Sequence, residues 1–170
     1  MEQMITRIGA SVLDRPSGDR TKWHRLVTRR RDGHGTRFLP MGGDLSRHKS
    51  NPVWLWGHGS GRNALGDPPD PRNVIGQVVD YDQQREYLDV LVRYDDEPFA
   101  DSVYQKVNKG LIRACSLGAL PLEPPVEVEE RDEDTGKTVK TGEYRRWMLT
   151  EGSNVIIGSN PEAMALTREQ

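Results

Sequence analysis

"DEPFADSVYQKVNKGLIRACSLGALPLE", residues 96–123, contains the change of period that decides the fold. In its first half Phe99, Val103 and Val107 fall four apart, which places them on one stripe of a helix. Pro98 suits the first helical turn, where its missing N–H has no intrahelical bond to lose. Gly110 suits the position just past the C-terminus. From Leu111 onward the chain is small and apolar without a helical stripe, and it meets Pro121. That half reads as a buried strand. One helix therefore stands between strands.

Working outward, strand signals dominate both flanks. "HRLVTRR" (24–30) is a short strand running into the turn "RDGHG" (31–35), and "NPVWLWGH" (51–58) is an apolar run led by a proline. Residues 74–94 read as a hairpin, two strands joined at the polar "DQQR". Beyond the helix come an acidic hairpin tip or loop at 123–143, a strand "YRRWML" (144–149) and the short apolar run "NVIIG" (154–158). A closing helix is expected to start at Pro161. No βαβ alternation appears. The expected class is mainly β (α+β), an antiparallel sheet or small barrel with a few helices around it. A length of 170 residues suits one domain spanning 1–170.

Composition removes several classes of function. A formal net charge of −2 gives no support for a dedicated nucleic-acid binder, although "TKWHRLVTRRRDGHGTR" is basic and "PLEPPVEVEERDED" acidic. The single cysteine, Cys115, excludes an internal disulfide framework. The histidines at 24, 34, 48 and 58 form no CxxC or HExxH spacing, so neither metal nor cofactor is expected. No apolar run approaches the ~20 residues of a membrane span, and the first residues lack a secretory core. The expected location is cytosolic.

Motif readings narrow further. "DTGKT" would need a glycine where Arg131 stands to complete a phosphate loop, and "GHGSG" has Arg62 where GxGxxG needs its last glycine. "ACSLG" (114–118) is one substitution from the GxSxG elbow. Every histidine precedes Ser116, however, and Pro121 follows it, which excludes an α/β-hydrolase. Ser116 remains either a nucleophile or an ordinary buried serine. A serine hydroxyl needs a base to take its proton, and imidazole has the right pKa. His24 and His34 lie among charged residues beside a turn, and His48 lies in the polar "SRHKS". Only His58 ends an apolar strand able to aim its ring. Cys115 is a chemically sensible rival to Ser116, but strand alternation sends the two side chains to opposite faces, so only one can meet His58.

Three blocks in order resemble the tailed-phage prohead serine proteases, a family related in fold to the herpesvirus maturation proteases. "RRRDGHGTRFLPMGGDLSRHKSNPVWLWGHGSG" is similar to the family's histidine block, and "GLIRACSLGALPLE" to its serine block. "RRWMLTEGSNVIIGSNPEAMAL" resembles its third block, an L-x-E-x-S strand leading to N-P-x-A. Together they cover most of residues 24–166. The resemblance implies a small closed antiparallel β-barrel wrapped by helices. It makes Ser116 the nucleophile, His58 the general base and Glu151 the third member that orients the imidazole. Backbone N–H groups would stabilise the oxyanion, with Arg113 or a turn near Gly118 as candidate support. Cys115 would face the core.

Departures from the family pattern are Gly59, where an acidic residue usually follows the histidine, the insertion "GRNALGDPPDPRN" (61–73), and Gly152 beside Glu151. The implied activity is cleavage of scaffold and major-capsid-protein segments inside the prohead, in the host cytoplasm, and of the chain itself. A homodimer or higher oligomer stays open. The competing function is a catalytically inactive relative acting as a structural or capsid-assembly factor.

Overall fold

The computed structural model describes residues 20–61 and 68–166. The fold is mainly β. Its larger sheet has seven strands and curls into a half-barrel. Strands β1 (Thr21–Thr28), β6 (Tyr87–Tyr94), β5 (Val74–Gln83), β4 (Val53–Trp56) and β10 (Trp147–Asn154) lie side by side in that order. The other edge of β10 carries β7 (Cys115–Pro121), paired along its whole length from Trp147↔Pro121 to Asn154↔Cys115. The two-residue β3 (Gly43–Asp44) pairs with the start of β10, below β4. A smaller sheet joins β2 (Thr36–Phe38), β9 (Thr138–Tyr144) and β8 (Val126–Arg131), with β8 and β9 forming a hairpin.

The sheets are mixed rather than antiparallel. β10 runs parallel to β3 and β4, and β2 runs parallel to β9. Each parallel pair joins segments about a hundred residues apart in the chain, and the long connection lets the strand enter in the same direction. "YRRWML" is also two strands' worth of sequence. The chain turns at Arg145–Arg146, so Tyr144 ends β9 and Trp147 begins β10.

The helix α2 spans Pro98–Asn108, with Glu97 as N-cap accepting from the Phe99 N–H and Gly110 at φ 74° beyond its end. Ala100, Val103 and Val107 are its buried face, while Phe99 sits at the rim and meets Trp56 edge-on. The short α1 (Ser46–Ser50) precedes β4. Inside the curl, Leu26, Trp54, Ile75, Leu88, Val90, Val92, Trp147 and Leu149 are fully buried. Each aliphatic side chain of this kind contributes about 1.5–3 kcal/mol from burial.

Residues 161–166 form no helix. Asn160 instead makes a turn, its side chain accepting from the Glu162 N–H and its carbonyl from the Ala163 N–H. The following backbone then bonds on both sides. Arg25 and Met164 exchange N–H···O bonds at 2.9 and 3.1 Å, and the Cys115 N–H donates to Ala163 O at 2.9 Å. Helix propensity at Pro161–Leu166 loses to donors and acceptors already waiting on β1 and β7. β7 is likewise not a buried strand: Cys115 alone is buried, and Ser116–Ala119 are half-buried. In "NVIIG", Ile156 and Ile157 are 77% and 88% exposed.

Candidate active site

β10 supplies the floor of the site. Glu151 and Ser153 are two residues apart beyond the bulge at Leu149/Glu151, so their side chains leave the same face. Ser153 Oγ–H donates to Glu151 Oε2 at 2.6 Å. Directly opposite Ser153 on β7 is Ser116, and opposite Glu151 is Gly118. Directly opposed residues share a face with Cβ atoms roughly 4.5–5.5 Å apart, so Ser116 stands beside Ser153 on the side occupied by Glu151.

Gly118 is a requirement of that packing. A Cβ there would lie 2.6 Å from Glu151 Cγ, 2.8 Å from its Oε1 and 2.9 Å from Thr150 Oγ1. Gly118 is thus mid-strand under the carboxylate, not in a turn offering oxyanion donors. Gly118→Ala is expected to push the Glu151 carboxylate off its position. Were Glu151 to act with His58 in catalysis, a displacement near 1 Å would cost about 10²-fold in rate. Steady-state cleavage assays alongside thermal melts separate this from general loss of folding.

His58 arrives from the other side of β10. β4 ends at Trp56, and Gly57 and His58 follow with φ of 62° and 59°, two left-handed residues in succession. For histidine this conformation costs on the order of 1 kcal/mol. It is held by the Gly57 N–H bonding Asn154 O at 2.9 Å and the His58 N–H bonding Ser153 Oγ at 3.2 Å. The turn swings the ring back over the sheet, where Nδ1–H donates to Glu151 Oε1 at 2.5 Å. Glu151 is buried, with its side chain 8% exposed, whereas the His58 side chain is 42% exposed. The hydrogen bond to Glu151 raises the His58 pKa above its ordinary value, with burial opposing. Gly59 has its own explanation, because the Asn73 side chain folds back onto it: a Cβ at 59 would meet Asn73 Nδ2 at 2.4 Å. Within the insertion 61–73, residues 62–67 lie outside the described residues.

His58 and Ser116 do not stand on neighbouring strands. β10 lies between β4 and β7, so Glu151 and Ser153 have His58 on one flank and Ser116 on the other. Among the described residues no hydrogen bond joins the His58 ring to Ser116. With Nδ1–H committed to Glu151, Nε2 carries the lone pair of the neutral ring. Beside Ser116 a small open cleft is lined by Thr28, Arg30, Phe38, Leu117, Ser159 and Asn160, among others.

The other histidines have different duties. His24 is fully buried rather than beside a turn, and its Nε2 meets Tyr94 OH at 2.9 Å. Burial, then nearby Lys22, lowers its pKa to about 3, so it stays neutral. Tyr94 OH and Trp54 Nε1–H both donate to Asn154 Oδ1, at 2.6 and 2.7 Å, tying the core to the end of β10. His48 is buried and spans Tyr81 OH and Val53 O, fixing α1 to the start of β4. His34 is exposed. None of these takes the place of Glu151 at Nδ1 of His58.

Cys115 is buried, with Sγ–H donating to Arg25 O at 3.1 Å, and desolvation pushes its pKa far up. A thiol reacts through its thiolate. Iodoacetamide is therefore expected to alkylate the native protein far more slowly than the urea-unfolded chain, as followed by mass spectrometry. Rapid native alkylation that removes activity would make Cys115 the nucleophile.

Ser153 was within reach of sequence reasoning, since L-x-E-x-S puts serine and glutamate on one strand face. The Ser153–His58 backbone contact carries no sequence signal. Comparisons with protein-family models, with curated proteins and with solved structures gave no match.

Proposed function

We propose that this chain is a serine endopeptidase of phage capsid maturation, cleaving scaffold and major-capsid-protein segments inside the prohead and also its own chain. The observation that carries the reading is the His58 Nδ1–Glu151 hydrogen bond, with Ser116 on the same face of the sheet. In this reading Nε2 of His58 takes the Ser116 Oγ proton as the hydroxyl attacks the scissile carbonyl. Glu151 stabilises the imidazolium, and the proton then passes to the leaving amine. Backbone N–H groups would receive the oxyanion. A herpesvirus-protease-like closed barrel belongs to the same reading. It is supported by the hydrogen bonds of residues 163–166 to both β1 and the start of β7. The work would take place in the bacterial cytoplasm within the assembling procapsid. Among the described residues no helix is long and apolar enough to cross a membrane.

One observation favours the second reading, a catalytically inactive assembly factor: Ser116 and the His58 ring make no direct hydrogen bond. Catalytic hydrogen bonds are often long before substrate binds, so the contact is expected to form in the complex. A fluorophosphonate probe on the purified protein separates the two. Labelling of Ser116 that disappears on heat denaturation supports the peptidase. No labelling across probe concentration and pH supports the assembly factor.

A further inference from the structure

We propose that Ser153 is a positioning residue that holds both halves of the His58–Glu151 pair, an inference that rests on reading His58 as the base. Ser153 is 0% exposed and on the central strand β10. Its single hydroxyl serves two partners at once. Oγ–H donates to Glu151 Oε2 at 2.6 Å, and the oxygen accepts the His58 backbone N–H at 3.2 Å. The consequence for Glu151 is orientation. With Oε2 tied to Ser153, and with the Gly118 backbone beneath leaving no Cβ in its way, the carboxylate presents Oε1 to the ring. The consequence for His58 is placement, because the same hydroxyl anchors a left-handed residue that has no β-ladder around it. Ser153 also opposes Ser116, so the group that sets the base is in register with the group to be activated. It touches neither substrate nor the transferring proton and acts only through its two neighbours.

A fully buried serine could instead be there for packing alone, and the test must separate these. Ser153→Ala removes one oxygen and leaves the volume nearly unchanged, but it strips a buried carboxylate and the His58 N–H of their partner, so the protein should stay folded with a melting temperature lowered by a few degrees. The kcat for a capsid-derived peptide is expected to fall about 10- to 100-fold, the worth of one hydrogen bond to a charged group, with KM within about twofold. Ser153→Thr, which keeps the hydroxyl on a strand-compatible side chain, should recover most of that loss.

A second readout does not depend on cleavage. The His58 Nδ1–H proton should give a low-field ¹H NMR resonance that persists in Ser153→Thr and is broadened or lost in Ser153→Ala. A Ser153→Ala protein with wild-type kcat and an unchanged resonance overturns the proposal. If the wild-type protein neither cleaves nor labels, yet the resonance still depends on the Ser153 hydroxyl, the peptidase reading fails and the positioning role stands.

Discussion

Ser116→Ala and His58→Ala are each expected to remove capsid-protein processing, with kcat falling on the order of 10⁵- to 10⁶-fold, to the level that binding and oxyanion stabilisation alone sustain. The effects should not add. In the proposed peptidase reading each substitution destroys the same activated nucleophile, so the double variant should be about as inactive as either single one. The turn at His58 complicates its own test, because alanine tolerates φ 59° poorly and a lost activity could be blamed on a rearranged loop. His58→Asn answers this. Asparagine is at ease in the left-handed region and keeps the backbone N–H for Ser153, but it cannot act as a base. It should be as inactive as His58→Ala while melting at a higher temperature. Processing that survives in Ser116→Ala, measured by mass spectrometry of coexpressed capsid protein, would end the peptidase reading whatever the other variants do.

Local chemistry made part of this molecule legible. α2 could be read to within a residue because its stripe, its Pro98 and its Gly110 all act over one turn. The β5–β6 hairpin was legible for the same reason, two alternating runs with a polar connection between them. What failed was everything decided at long range. Period-2 patterning says which side of a strand is apolar but not which strand lies beside it. The parallel pairing of β10 with β4, and its insertion between His58 and Ser116, left no local trace. The segment after Pro161 has the composition of a helix start, yet it is drawn into extended bonds with Arg25 and Cys115. His24 looked solvated because Lys22 and Arg25 flank it, but on a strand those neighbours are not all on its face, and its own ring is in the core.

The site divides along the same line. Ser116, His58 and Glu151 were nameable from their blocks, and the structure brings His58 and Glu151 into contact. The means of bringing them together was not nameable. It lies in a strained turn, in a glycine opposite a carboxylate and in one serine hydroxyl, each meaningful only once β4, β10 and β7 are side by side.

Glu151→Gln has the second largest expected effect and the most specific signature. A carboxylate at Nδ1 fixes the tautomer and stabilises the imidazolium, and replacing it by an amide costs on the order of 10⁴-fold in kcat in triads of this kind. The pH dependence follows from the direction of the His58 shift. The base must be neutral to accept a proton, so wild-type kcat/KM should rise with pH through a midpoint above the ordinary histidine value of about 6.5. In Glu151→Gln the cause that raises the pKa is gone and burial, which lowers it, remains. The midpoint should fall below that of the wild type even as the plateau drops. Stability runs the other way. A histidine whose folded pKa is raised adds stability that is fully present below its unfolded pKa and is lost as pH climbs through the folded value. The melting advantage of wild type over Glu151→Gln should therefore be larger at pH 6 than at pH 9, across the same window in which wild-type activity appears. Equal midpoints for the two proteins would show that Glu151 does not govern the His58 proton, and the assignment of the third catalytic member would have to move elsewhere.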